Sequence, residues 1–76
     1  MVFEKLKKLI TEQFGVDEST VTLETSLRED LSADSLDMVE MMMAMEEAFE
    51  IGEVDEGEIA ELDTVGEIAS FIQAKL

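Results

Sequence analysis

Hydrophobic positions recur with a helical period in separate stretches of the chain. In the first, Phe3, Leu6, Ile10 and Phe14 fall on one stripe with Val2 and Leu9 beside it, and Lys5, Lys7, Lys8 and Glu12 take the remaining positions. Spacings of three and four put side chains on one face of an α-helix, so a helix is predicted over 2–14 with Gly15 as its stop. Residues 15–33 hold no sustained period. Val21 and Leu23 alternate with threonines, but a strand without a partner does not survive, so the segment reads as an ordered loop pinned to the core by Leu23, Leu27 and Leu31. A second helix is predicted over 35–50. Asp34 suits its N-cap and Asp37 the positive end of its dipole. After a turn at "IGEV", a short helix runs from about Asp55 to Glu61, weakened by Gly57, with Ile59 and Leu62 inward. The last helix opens on Thr64, which forms a capping box with Glu67, and turns Val65, Ile68, Phe71 and Ile72 inward as far as Leu76. The expected fold is all-α: an irregular four-helix bundle of three main helices and one short one, with a long loop between the first and second.

The second helix has more apolar residues than one face needs. At about 100° per residue, Met38, Met41, Met42, Met45, Ala48 and Phe49 form a core stripe, and Leu36, Val39 and Met43 form another almost opposite it. Asp37, Glu40, Glu46, Glu47 and Glu50 surround this second stripe. Either it packs on another element, or it is a docking patch with an apolar centre and charged rim. Methionine suits docking, because its flexible thioether adapts to differently shaped partners.

Charge sharpens the picture. The 76 residues make one small domain, 1–76, with formal net charge −15. Residues 1–28 balance five acids against four bases, whereas Glu29 to Ala74 holds fifteen acids and no base. Such a surface repels nucleic acid and anionic membrane and attracts proteins with basic patches. The 46% hydrophobic content is too high for a disordered acidic tail. The opening "MVFEKLKKLI" mixes charge into its apolar run, unlike a signal peptide, and no stretch approaches the ~20 apolar residues of a membrane span. A soluble cytoplasmic monomer with no membrane insertion is expected.

Candidate chemistry is narrow. The chain has no cysteine and no histidine, which removes thiolates, the usual zinc ligands and the usual general base. No Asp-x-Asp-x-Asp-Gly loop is present, and no metal site is expected. Ser35 stands between Asp34 and Leu36 at the mouth of the second helix. Asp34 is already available as the cap, which leaves the Ser35 hydroxyl spare beside the second apolar stripe. With no base to activate it, Ser35 is a poor nucleophile on its own account, and "ADSLD" is not a nucleophile elbow. It is suited instead to modification by another enzyme, and a phosphodiester there would meet the free N–H groups of a helix N-terminus.

The residues "EDLSADSLDMVEMMMAMEEAFE" closely resemble the acyl carrier proteins, and the similarity extends over essentially the whole chain. The Asp34-Ser35-Leu36 triplet resembles that family's attachment motif. The resemblance implies 4′-phosphopantetheine on Ser35, with fatty acyl groups carried as thioesters on its thiol, so that a chain without cysteine takes part in thiol chemistry. It implies a carrier rather than an enzyme, a phosphoprotein of fatty acid biosynthesis. The partners implied are a phosphopantetheinyl transferase and enzymes with basic patches: ketosynthase, reductases, dehydratase and acyltransferases. Docking falls on Asp37, Glu40, Glu46 and Glu47 around Leu36, Val39 and Met43. An acyl-chain pocket is expected at Met41, Met42, Met45, Ile59 and Leu62. The sequence departs from the family's usual pattern at Ser32, where a glycine is usual, in the longer, proline-free "EIGEVD", and at Gly57. Two rival readings are a carrier for a polyketide, peptide or D-alanyl pathway and, in another class, an acidic helical adaptor in which Ser35 is only a cap.

Overall fold

The computed structural model describes residues 2–76, with Glu56 described by its backbone alone. Its helices are α1 (Val2–Phe14), α2 (Ser35–Phe49), α3 (Glu56–Ala60) and α4 (Val65–Lys75). Each starts or stops where local chemistry dictates. Gly15 takes φ +66°, and its N–H bonds the Thr11 carbonyl at 2.8 Å, which ends α1. Asp34 and Asp37 cap α2 reciprocally, and Thr64 and Glu67 do the same for α4. Asp55 caps α3 through the Gly57 N–H at 2.9 Å.

The expected bundle is present. Leu6 and Ile10 of α1, Met38, Met41, Met42 and Met45 of α2, Ile59 of α3, and Val65, Ile68 and Ile72 of α4 are all buried. They form one core, closed by Val21, Leu27 and Val54 from the connections. Phe3, Phe14 and Phe49 are half-buried at its margin. Phe71, expected inward, is also only half-buried, with Lys75 Nζ 5.2 Å above its ring.

The long loop is ordered as expected and corrects one expectation, the inward place of Leu23. It holds a 3₁₀ turn at Glu18–Thr20, capped by Asp17. Leu27 is fully buried and Leu31 packs on the core, but the Leu23 side chain is 50% exposed. Leu23 is anchored through its backbone instead: its carbonyl accepts the Gly66 N–H at 2.9 Å. A Cβ on Gly66 would stand 3.0 Å from that carbonyl oxygen, so a larger residue there would push the loop backbone away by a few tenths of an ångström. Beside it, Ser26 and Thr64 form an isolated antiparallel bridge, with the Leu27 N–H on the Asp63 carbonyl at 3.0 Å and the Val65 N–H on the Thr25 carbonyl at 2.9 Å. The start of α4 thus supplies the backbone partner that the threonine-rich segment lacks within its own sequence.

Candidate functional site

The site is built on the mouth of α2. The Asp37 N–H donates to Asp34 Oδ1 at 2.9 Å, and the Asp34 N–H donates to Asp37 Oδ2 at 3.2 Å. The two carboxylates are thereby spent on the first turn. Ser35, the first helical residue, is exposed. Among the described residues none exchanges a hydrogen bond with its hydroxyl, so the group is free to react at the surface.

Ser35 opens onto a cleft of about 540 Å³ between α2, α3 and the loop that precedes α2. Met38 and Val39 line its α2 side, Ile59 and Ala60 its α3 side, and Ala33 and Arg28 come from the loop. Of the residues expected to shelter a chain, Ile59 lines this cleft. Met41 and Met45 lie fully inside the core, Met42 is almost as buried, and Leu62 is half-buried beyond α3. Position along the helix accounts for the division: Met38 shares the core face with Met41 and Met45, but it lies within one turn of Ser35 and so also borders the cleft, with Val39 beside it.

Arg28 in the cleft wall is a residue that sequence reasoning missed. Its Nη1 donates to the Leu62 carbonyl at 2.9 Å and Nη2 to the Ala60 carbonyl at 3.0 Å, and Nη1 also reaches Asp63 Oδ1 at 3.4 Å. The guanidinium therefore ties the loop to the end of α3. The signal available in the sequence was its isolation as the one base between Lys8 and Lys75. Asp63 is drawn in further by the Ser26 hydroxyl, and that bond, reinforced by Arg28, holds the Asp63 carboxyl below its ordinary range against the opposing effect of burial.

The outward face of α2 keeps its second apolar stripe. Leu36 is 65% and Met43 59% exposed, with Val39 half-buried between the two faces. No element of the described structure covers Leu36 or Met43. The acids around them differ in occupation. Asp37 closes the capping box, and Glu46 accepts the Val54 N–H and so fixes the turn after α2. Glu40 accepts Gln13 Nε2 at 2.8 Å yet remains exposed, and Glu47 is exposed. Among the described residues, no group of three or more acids is arranged to hold a metal ion, and no helix is long and apolar enough to cross a membrane.

Fold and site together define a class: a small acidic helical protein that presents one unengaged hydroxyl at a helix mouth, beside an apolar cleft. The family described as "Phosphopantetheine attachment site" matches residues 4–72. The chain is 47% identical over 75 residues to the acyl carrier protein of Thermotoga maritima, covering 99% of this chain and 91% of that one. It is 46% identical over 74 residues to the acyl carrier protein of Clostridium acetobutylicum, covering 97% and 95%. The chain belongs to the phosphopantetheine-attachment family, within its acyl carrier proteins. It is accordingly a carrier whose cofactor is covalently attached 4′-phosphopantetheine.

Proposed function

We propose that residues 1–76 work as a single acyl-carrier domain with Ser35 as the attachment point of the arm. One observation carries this reading: the Ser35 hydroxyl is exposed and unengaged because Asp34 and Asp37 cap the helix without it. The free N–H groups of the first turn of α2 favour the negative charge of a phosphodiester. The carboxylates nearest to it already accept N–H bonds, which softens their repulsion. When attached, the arm supplies the thiol that holds fatty acyl chains as thioesters. The chain's own residues do the rest. Ala33, Met38, Val39 and Ile59 offer an apolar cleft beside the attachment point, where a chain is shielded from water.

Delivery is the second half of the function. Leu36 and Met43 form the apolar centre of a docking face, with Val39 at its edge. Glu40 and Glu47 give the face its outward charge, with Asp37 and Glu46 fixing the turns at its two ends. The partners are a phosphopantetheinyl transferase and the ketosynthase, reductases, dehydratase and acyltransferases of fatty acid synthesis, met through their basic patches. A small body of charge −15 is steered quickly onto such patches and leaves them readily. It works as a cytoplasmic monomer and catalyses nothing itself.

The test is direct. Incubated with coenzyme A, magnesium and a phosphopantetheinyl transferase, the protein gains the mass of one phosphopantetheine, and Ser35→Ala gains none. A gain on the alanine variant would move the attachment elsewhere, and no gain on either protein would leave an acidic adaptor.

A further inference from the structure

We propose that Arg28 is a specificity-determining residue of the Ser35 cleft: its pinned guanidinium is a charged wall that limits the length of acyl chain the protein shelters. The inference rests on the reading that the cleft takes the acyl chain. Five of the cleft's lining residues, Ala33, Met38, Val39, Ile59 and Ala60, are apolar, and a short chain is covered by them alone. Arg28 lines the same cleft and is the one cation among its lining residues.

The guanidinium is not free to swing aside. It donates to the carbonyls of Ala60 and Leu62 and pairs with Asp63, so displacing it would strip donors from the end of α3 and part an ion pair. Nor is it cheap to cover. The Arg28 side chain is 38% exposed, and a methylene chain laid across it would take that charge out of water with no new partner. A chain that outgrows the apolar lining therefore gains nothing from further methylenes on this side, and its distal part remains in solvent.

The experiment loads the phosphopantetheinylated protein with hexanoyl, decanoyl or tetradecanoyl groups and measures cleavage of each thioester by hydroxylamine. In wild type, protection rises with chain length and then levels off. Arg28→Met, apolar and of similar length, is expected to shift the plateau to longer chains. Each newly sheltered methylene then slows cleavage by about fourfold. Hexanoyl protection stays unchanged. Arg28→Gln keeps a donor for the carbonyls without the charge, which makes it the check should the methionine variant fold poorly, and it shifts the plateau in the same direction. Arg28→Lys, which keeps the charge, retains the wild-type profile. Wild-type length dependence with an unmoved plateau in both neutral variants overturns the role of Arg28 alone. A wild-type protein whose protection ignores chain length overturns the sheltering cleft and this inference with it.

Discussion

The Ser26 hydroxyl donates to Asp63 Oδ2 at 2.6 Å across 37 residues of sequence. Ser26 is buried, and the same Asp63 carboxylate receives the Arg28 N–H at 3.3 Å. One carboxylate thus gathers the end of the long loop onto the start of α4, and the cleft beside Ser35 owes part of its frame to that contact.

Removing the hydroxyl exposes its worth. Ser26→Ala is expected to cost about 1–2 kcal/mol at neutral pH, as a lost charge-assisted bond does. The Asp63 carboxyl sits below its ordinary 3.8 in the folded protein, first because of Ser26 and then, against burial, because of Arg28. A depressed folded value means that the contribution is complete above the unfolded value and is lost as pH falls through the folded one. The stability gap between wild type and variant should therefore be constant above about pH 5 and narrow below about pH 4. Urea unfolding across that range measures it, and a gap unchanged into strong acid would remove Asp63 as its source.

Ser32 adopts φ +57°, in the left-handed region that glycine occupies without strain. A serine there costs of order 1 kcal/mol. Ser32→Gly should recover about 0.5–1 kcal/mol after the extra freedom of the unfolded glycine is subtracted. For a domain of this size that is a rise of about 2–8 °C in Tm. Ser32→Ala should bring no rise. A glycine variant that melts below wild type would show that the serine side chain does something the backbone geometry does not reveal.

Two neighbouring glutamates on α2 should separate cleanly. Glu46 accepts the Val54 N–H, so Glu46→Ala is expected to lose about 1–2 kcal/mol of stability. Glu47 is exposed, and Glu47→Lys should alter stability by less than about 0.5 kcal/mol. Its association with a basic partner should slow, most visibly at low salt. Stopped-flow association alongside denaturant melts distinguishes the two. Equal kinetics for wild type and Glu47→Lys would take Glu47 out of the docking face.

The net charge of −15 implies self-repulsion across a thin core. Raising ionic strength shortens the screening length from ~10 Å at 0.1 M to ~3 Å at 1 M. The unfolding midpoint is expected to climb with sodium chloride over that range. A flat midpoint would mean that the charges are spaced widely enough for water alone to screen them.

Much of this was written locally. The bounds of α1 follow from the Phe3–Leu6–Ile10–Phe14 stripe and Gly15. The starts of α2 and α4 follow from Asp34 with Asp37 and Thr64 with Glu67, because a cap is a contact between residues three apart. The exposed stripe of Leu36 and Met43 follows from the same arithmetic. The environment of Arg28 and the outward turn of Leu23 were not legible in this way. Arg28 finds its partners 32 to 35 residues downstream, and Leu23 is held by a backbone bond to Gly66 that no side-chain period encodes.

By itself, then, the sequence determined four helices, the caps of the second and the last, an acidic surface and a spare serine at a helix mouth, because each depends on neighbours within a turn or two. Only the tertiary structure decided which of the core methionines borders the cleft, which acids are already spent on N–H groups, and that the lone central base stands in the cleft wall. Those outcomes depend on loop and helix meeting across long separations, where packing and hydrogen-bond satisfaction choose among arrangements that local pattern leaves equivalent.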